Sequence, residues 1–326
     1  MKVTRQLLLQ TNPHERLPDM DALMRVFGSA MRYAFNRLME GAIKGELIKD
    51  VNARFAINKR YAEDALLQAE AIISSQRELL PTYLEEVERK ISKTEEKLVA
   101  YRNGVKKPSR SPLLVVIQGL TARLENLEKK RAYYQLCLDT GTIPKVIFGG
   151  KRAFFDRMNG RITNQEWKDL RANRLYARGD KAKKGNLNTR IVYDETDHRF
   201  WLEVANPFAG DGKRKAPRLR YPIHIPHKWV HEVIDVVMAS VVGYTPKKNV
   251  IEEYKAYTVE IKRKNGWYYV FITYELDVPG HEIKGTEPLT TEKTAGIDVN
   301  LDRVTVSIIS QQGNKLTHRT FDCHDM

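Results

Sequence analysis

Residues 257–274 read YTVEIKRKNGWYYVFITY. Tyr257 to Lys262 and Trp267 to Tyr274 alternate around Arg263-Lys264-Asn265-Gly266, and alternation on both sides of an Asn-Gly pair predicts an antiparallel hairpin. At the far end of the chain Lys2 to Gln10 alternates too, and Asn12-Pro13 ends that run. Upstream of the hairpin, Gly185-Asn186-Leu187-Asn188 reads as a turn into a strand, Thr189 to Tyr193. Asp194-Glu195-Thr196-Asp197 then bends the chain back into Arg199 to Val204. Arg218 to Ile225 is also extended, and Pro222 and Pro226 predict that it lies at a sheet edge. His227 to Val241 has helical spacing in Val230, Ile234, Val237 and Val241. These strands together predict a small β-barrel whose first strand is parted from the rest by a long insertion.

That insertion has the period of helices. One begins near Asp19, with Asp19 or Asp21 as its cap and Leu23, Phe27, Met31 or Ala30, Ala34 and Leu38 on one face. A second, Lys59 to Leu80, carries Ala62, Leu66, Ala69, Ile73 and Leu80, and Pro81 is expected to restart the chain. Thr82 to Tyr101 and Leu114 to Leu138 bracket a polar turn, Asn103 to Pro112, and predict an antiparallel helical hairpin, the pairing that buries both apolar stripes.

A length of 326 residues predicts two or three structural units. No run is long and apolar enough to span a membrane, and the N-terminal Leu7-Leu8-Leu9 is too short for a signal segment, so a cytoplasmic protein is expected. Cys137 and Cys323 are too few for a disulfide framework or a four-thiolate zinc site. His318, Cys323 and His324 match no common metal spacing. The net charge of +14 favours a polyanion, and without a basic amphipathic anchor nucleic acid is favoured over a membrane surface.

The charge is concentrated. Lys145 to Arg220 holds 19 Lys and Arg against 9 Asp and Glu, so +10 of the total sits in under a quarter of the chain. Here Lys151, Arg152, Arg157, Arg161, Arg171, Arg174, Arg178, Lys181, Lys183, Lys184 and Arg190 are candidate phosphate contacts. Tyr176 is a candidate stacking residue among the interleaved aromatics, while Phe154 and Trp167 are read as core.

The last segment, Thr294 to Ser310, reads TAGIDVNLDRVTVSIIS and places Asp298 in what looks like a buried strand. Burying a carboxylate there is costly unless a cation or a set of donors compensates, and a metal ion is the usual answer at a site of phosphodiester chemistry. Read from periodicity alone, Asp298 is a turn aspartate at a strand's end. Gln311-Gln312-Gly313-Asn314 turns the chain into Lys315 to Phe321, so strand, Asp, strand, turn, strand is the order in which an RNase H-like fold begins.

The GIDVN motif at 296–300, with the hydrophobic strand and Gly-Asn turn after it, resembles the first RuvC motif of the TnpB family, the RNA-guided nucleases of insertion sequences related to type V CRISPR effectors. FGGKRAFF at 148–155 and EWKDLRANRLYARGDKAKKGNLNTRI at 166–191 are also similar to the middle of TnpB-like proteins. The resemblance implies an α+β architecture: a wedge-like β-barrel interrupted by a helical recognition lobe, followed by the start of an RNase H-like (RuvC) domain. It divides the chain into a first barrel strand (1–17), the helical lobe (18–140), the basic barrel (141–285) and an incomplete RuvC-like domain (286–326). Guide RNA and target DNA are the implied partners, and Asp298 is the implied first catalytic carboxylate and metal ligand, for Mg²⁺.

One departure changes the expected activity. The family's nuclease needs a Glu and a third acid further on, with a four-cysteine zinc module between them, but only 28 residues follow Asp298. Asp302, Asp322 and Asp325 lie on the first hairpin or its exit, and no CxxC is present, so no zinc is expected. The chain is therefore read as the N-terminal portion of a TnpB-like protein that binds guide RNA and target DNA. Metal-dependent cleavage is expected only if a second polypeptide or a longer reading frame supplies the missing acids. The alternatives are a nuclease-dead RNA-guided repressor or transposition accessory protein, and a helical-hairpin interaction module.

Overall fold

The computed structural model describes residues 1–12, 14–208, 218–244, 250–276, 293–299, 303–310 and 312–322. The chain divides into two compact units, Met1–Leu276 and Asp277–Met326. In the first, β1 (Lys2–Leu9) leads into α1 (Pro18–Met39), α2 (Lys44–Phe55), α3 (Lys59–Arg102), α4 (Leu113–Asp139), α5 (Lys151–Met158) and α6 (Asn164–Leu170). Next come β2 (Arg174–Ala177), a two-residue pair β3 (Gly179–Asp180) and β4 (Gly185–Asn186), β5 (Thr189–Asp194), β6 (Arg199–Ala205) and β7 (Arg218–His224). The unit ends with α7 (Val230–Val237), a small hairpin of β8 (Ser240–Tyr244) and β9 (Val250–Glu253), then β10 (Tyr257–Lys264) and β11 (Trp267–Glu275).

The architecture is α+β, a helical part packed on an antiparallel seven-stranded sheet of order β2-β10-β11-β1-β7-β6-β5. Asn265 and Gly266 both have positive φ, 52° and 80°, which a tight two-residue hairpin requires. β1 pairs along β11 from Lys2 opposite Glu275 to Leu8 opposite Tyr269, so the first strand joins the sheet from across the helical insertion.

A closed barrel was expected; among the described residues no ladder joins β2 to β5, and side chains bridge that gap instead. Asn186 is fully buried. Its Nδ2 donates to the carbonyls of Ala177 and Tyr257 at 2.9 and 3.1 Å, while its Oδ1 accepts from the N–H groups of Asn188 and Thr189 at 3.1 and 2.9 Å. Ile191 N on β5 donates to the Tyr257 hydroxyl at 3.0 Å. Gly185 makes room, because a Cβ there would lie 2.4 Å from the Tyr257 ring.

One core runs through sheet and helices. Leu7, Leu9, Leu175, Val259, Ile261, Val270 and Ile272 meet Met20, Leu23, Phe27, Tyr61 and Ala65. The Tyr61 hydroxyl donates to the Ala205 carbonyl at 3.1 Å, tying α3 to β6. Helical part and basic sheet both lie in the compact unit Met1–Leu276.

Several local expectations change. The cap of α1 is Leu17, with Pro18 in the first turn, because Asp21 is held by the Tyr268 hydroxyl at 2.7 Å and by Arg263 at 2.8 Å. Pro81 does not restart the chain but lies inside the 44-residue α3. It is exposed, so the carbonyl it leaves without an N–H partner can turn to water. α3 and α4 form the expected hairpin, with Tyr83 and Tyr134 rings 5.9 Å apart. β7 lies inside the sheet between β1 and β6 rather than at an edge. Its ladder with β1 covers only His224 and Ile223, and the Pro222 carbonyl accepts from Gln10 N at 2.9 Å beyond the end of β1, where no ladder donor is required.

In the second unit, β12 (Lys293–Val299), β13 (Arg303–Ser310) and β14 (Lys315–Asp322) form an antiparallel meander with Asp298 opposite Thr305. The buried setting expected for Asp298 is not found. β12 is exposed along its whole length, Ile297 and Val299 being 66% and 71% exposed. Cys323, His324, Asp302 and Asp325 lie outside the described residues, and Cys137 is a buried free thiol.

Candidate nucleic-acid interface

The basic segment separates into side chains that reach solvent and side chains consumed by the fold. On α5, Lys151, Arg152 and Arg157 are exposed, and so is Arg161 just beyond it. Asp156 pairs with Arg161 at 3.2 Å and lies 4.0 Å from Arg152, so part of this charge is neutralised. Phe155 is half exposed with the Lys151 ammonium 6.0 Å from its ring centroid, whereas Phe154 packs on buried Trp167. Phe155 is thus the better placed aromatic for stacking.

Lys181, Lys183 and Lys184 are exposed around a short 3₁₀ turn whose cap is the Asp180 carboxylate, accepting from Ala182 N at 3.0 Å. Lys184 lies 5.7 Å from the Tyr254 ring.

The other candidates turn inward. Arg174 pairs with Glu260. Arg178 reaches Glu63 at 2.5 Å and Asp64 at 3.1 Å on α3. Arg190 Nε donates to the Asn186 carbonyl at 3.3 Å. Tyr176 is half buried, and that burial raises its pKa, so its ring belongs to the sheet packing. Asp298 stands on β12 in the second unit, and among the described residues no group of three or more His, Cys, Asp or Glu gathers to hold a metal.

A second basic surface includes Arg171, already a candidate from the sequence, with neighbours the sequence reading missed. Arg16, Arg25, Arg32, Lys168, Arg171 and Arg263 line a groove of about 680 Å³ between α1 and α6, together with Asp21 and Asp169. Arg16 bridges Asp21 and Asp169 at 3.1 and 2.7 Å, and Arg263 bridges the same pair at 2.8 and 3.1 Å, a closed set of four charges. Arg25, Arg32, Lys168 and Arg171 form no ion pair among the described residues. Burial, and after it the neighbouring Arg171, lowers the Arg32 pKa to about 10. The signal was the spacing Arg25, Ser29, Arg32 on the polar face of α1, three and four residues apart.

The fold is thus a mixed α+β unit with an open antiparallel sheet and cationic surfaces, followed by a small meander. A family model described as the SSO2105 N-terminal domain matches residues 2–281, and the chain belongs to that family. No curated protein matches the chain. No helix among the described residues is long and apolar enough to cross a membrane.

Proposed function

We propose that the chain is an RNA-guided DNA-binding protein of the TnpB type, with guide RNA and target DNA held by the first unit. The observation that carries this reading is the set of exposed cations at Lys151, Arg152, Arg157 and Lys181, Lys183, Lys184, each able to neutralise a phosphate. The element order supports it: one strand, a helical excursion, the remaining strands of the same sheet, then a meander with Asp298 on its first strand. In this reading the sheet is the wedge-like module, α1 to α4 are the recognition lobe, and the meander opens a RuvC-like domain. Base pairing between guide and target reads sequence, while the protein grips backbone and shape.

Asp298 is the first carboxylate of the nuclease site in this reading. No cleavage step is assigned to these residues, because two-metal chemistry needs further acids around the ions. A nuclease-dead repressor or accessory role belongs to the same class and is separated from nuclease action by whether bound target is cut.

The test is anisotropy of a labelled structured RNA titrated with the protein from 50 to 300 mM salt. With about six phosphates engaged, log K should fall with log salt at a slope near −4. Changing Lys181, Lys183 and Lys184 together to Gln should reduce that slope by about 2. Salt-insensitive or absent binding overturns the reading. A helical-hairpin interaction module is then favoured, for which the observation is the apolar exposure of Leu114 (66%) and Val105 (78%) at the far end of the α3–α4 hairpin.

A further inference from the structure

Arg32 and Arg171 both line the groove, and the charge of Arg171 acts on Arg32. Arg32 donates from one terminal nitrogen to the Arg171 carbonyl at 2.6 Å and from the other to Ser29 Oγ at 3.0 Å. Ser29 in turn donates to the Arg25 carbonyl at 2.9 Å, so the Arg32 fork is fixed while its remaining N–H groups are unspent. Arg171 is held by packing: its guanidinium lies 5.8 Å from the Trp167 ring, and its Nε is buried with no hydrogen-bond partner. Two glycines permit this seat. A Cβ on Gly28 would lie 2.8 Å from the Arg171 carbonyl oxygen, and one on Gly149, at φ 92°, would lie 2.9 Å from Arg171 Cγ.

The charge of Arg171 acts on the partly buried Arg32, and neither forms an ion pair with Asp21 or Asp169 in the same groove. Such an arrangement costs free energy unless an anion completes it. On its other side the same pair borders a second cavity of about 550 Å³, with Tyr33, Met39, Val146 and Phe148 in its wall. The same two arginines thus border a cationic groove and a cavity whose wall carries the Tyr33 and Phe148 rings beside Asn36 and Lys145. A ligand suited to both cavities carries repeated anionic charge and planar rings. A nucleotide has both.

We infer that this groove seats a single nucleic-acid strand, with a backbone phosphate bridging Arg32 and Arg171, Arg25 and Lys168 on neighbouring phosphates, and a base against the Tyr33–Phe148 side. The inference rests on the nucleic-acid reading above but assigns it to residues outside the 181–184 loop.

The test compares four proteins: the full chain, Arg32→Gln, Arg171→Gln, and the rim change Lys168→Gln, which is exposed and leaves the fold undisturbed. Far-UV circular dichroism checks folding, and anisotropy is read with labelled single-stranded RNA and single-stranded DNA of one sequence. Arg32→Gln and Arg171→Gln are expected to weaken binding by about tenfold, and Lys168→Gln by about threefold with a slope smaller by about 0.7. Equal losses on both strands assign the seat to phosphate; a loss on RNA alone assigns it to a ribose-bearing strand, and either supports the inference. Wild-type affinity in all three variants, while the triple lysine change weakens binding, overturns the groove and leaves the wider reading standing. If the full chain binds neither strand, that wider reading fails, and the groove is judged by inorganic pyrophosphate. A thermal midpoint raised by pyrophosphate in the full chain, and not in Arg32→Gln, then supports an anion seat. No rise overturns it; where the full chain does bind RNA, polyglutamate competing as well as unlabelled RNA overturns it too.

Discussion

Asp64 has no exposed surface, yet it carries a carboxyl group. Its Oδ1 lies 3.1 Å from Arg178 Nε, and its Oδ2 accepts from the Arg178 backbone N–H at 3.3 Å. Burial raises its pKa to about 7 against the opposing pull of Arg60 and Arg178, with Glu63 adding to the rise. In the unfolded chain an aspartate titrates near ~3.9. Between roughly pH 4 and 7 the folded protein therefore holds a proton that the unfolded chain has released, so this site's contribution to stability is greatest below that window and is lost as pH rises through it. Thermal midpoints measured from pH 4.5 to 7.5 should fall more steeply for the wild type than for Asp64→Asn; identical slopes would rule the assignment out. Asn186→Ala should be more damaging, since it strands two carbonyls and two N–H groups beside the sheet gap. A loss of about 3 kcal/mol, seen as a midpoint lower by ~6–10 °C, is expected. At this scale the sequence was only half legible. Which residues are basic is plain, but Arg178 finds its acids on α3 and Arg174 finds Glu260 on β10, partners that no local pattern reveals. The residues of the Gly185-Asn186 turn were visible; their work in bridging β2 and β5 depends on contacts far along the chain.

Strands with period two were readable because one face of each is buried. β1, β5, β6, β10 and β11 fall within about a residue of expectation, and the Asn265-Gly266 turn fixes the last pair. α2 was missed because only Leu47 and Val51 of its residues are buried, too short a stripe to stand out. Proline misled twice, each time because its missing N–H falls where the structure asks for none. For Pro81 that tolerance is still incomplete, since a proline inside a helix costs ~3 kcal/mol relative to alanine, offset by ~1 kcal/mol through the stiffer unfolded chain. Pro81→Ala should therefore stabilise the protein by about 1–2 kcal/mol, checked by urea unfolding at constant m. An unchanged or lower midpoint would mean that the proline shapes α3 in a way its neighbours depend on.

At the scale of the molecule, all of the principal core lies within Met1–Leu276. A chain ending after Leu276 should keep a cooperative thermal transition and bind RNA with the full chain's salt slope, and Asp298→Ala should change RNA affinity by less than about twofold; a lost transition or a tenfold change would tie the second unit to the first's function. The join at Met1 and Leu276 bears on how the molecule is made. Met1's terminal amine donates to the Leu276 carbonyl at 2.9 Å, and Leu276 N returns a bond to Met1's carbonyl at 2.7 Å. β1, with Leu7 and Leu9 facing inward, leaves the ribosome long before its long partner β11, which is among the last parts of the unit to appear. At translation speeds of roughly 5–20 residues per second the wait is on the order of 10–50 s. Through that interval an apolar strand has its longer edge unpaired and a helical lobe beside it, so nascent chains stalled before residue 267 should be the species that chaperones hold and that aggregate when chaperones are scarce.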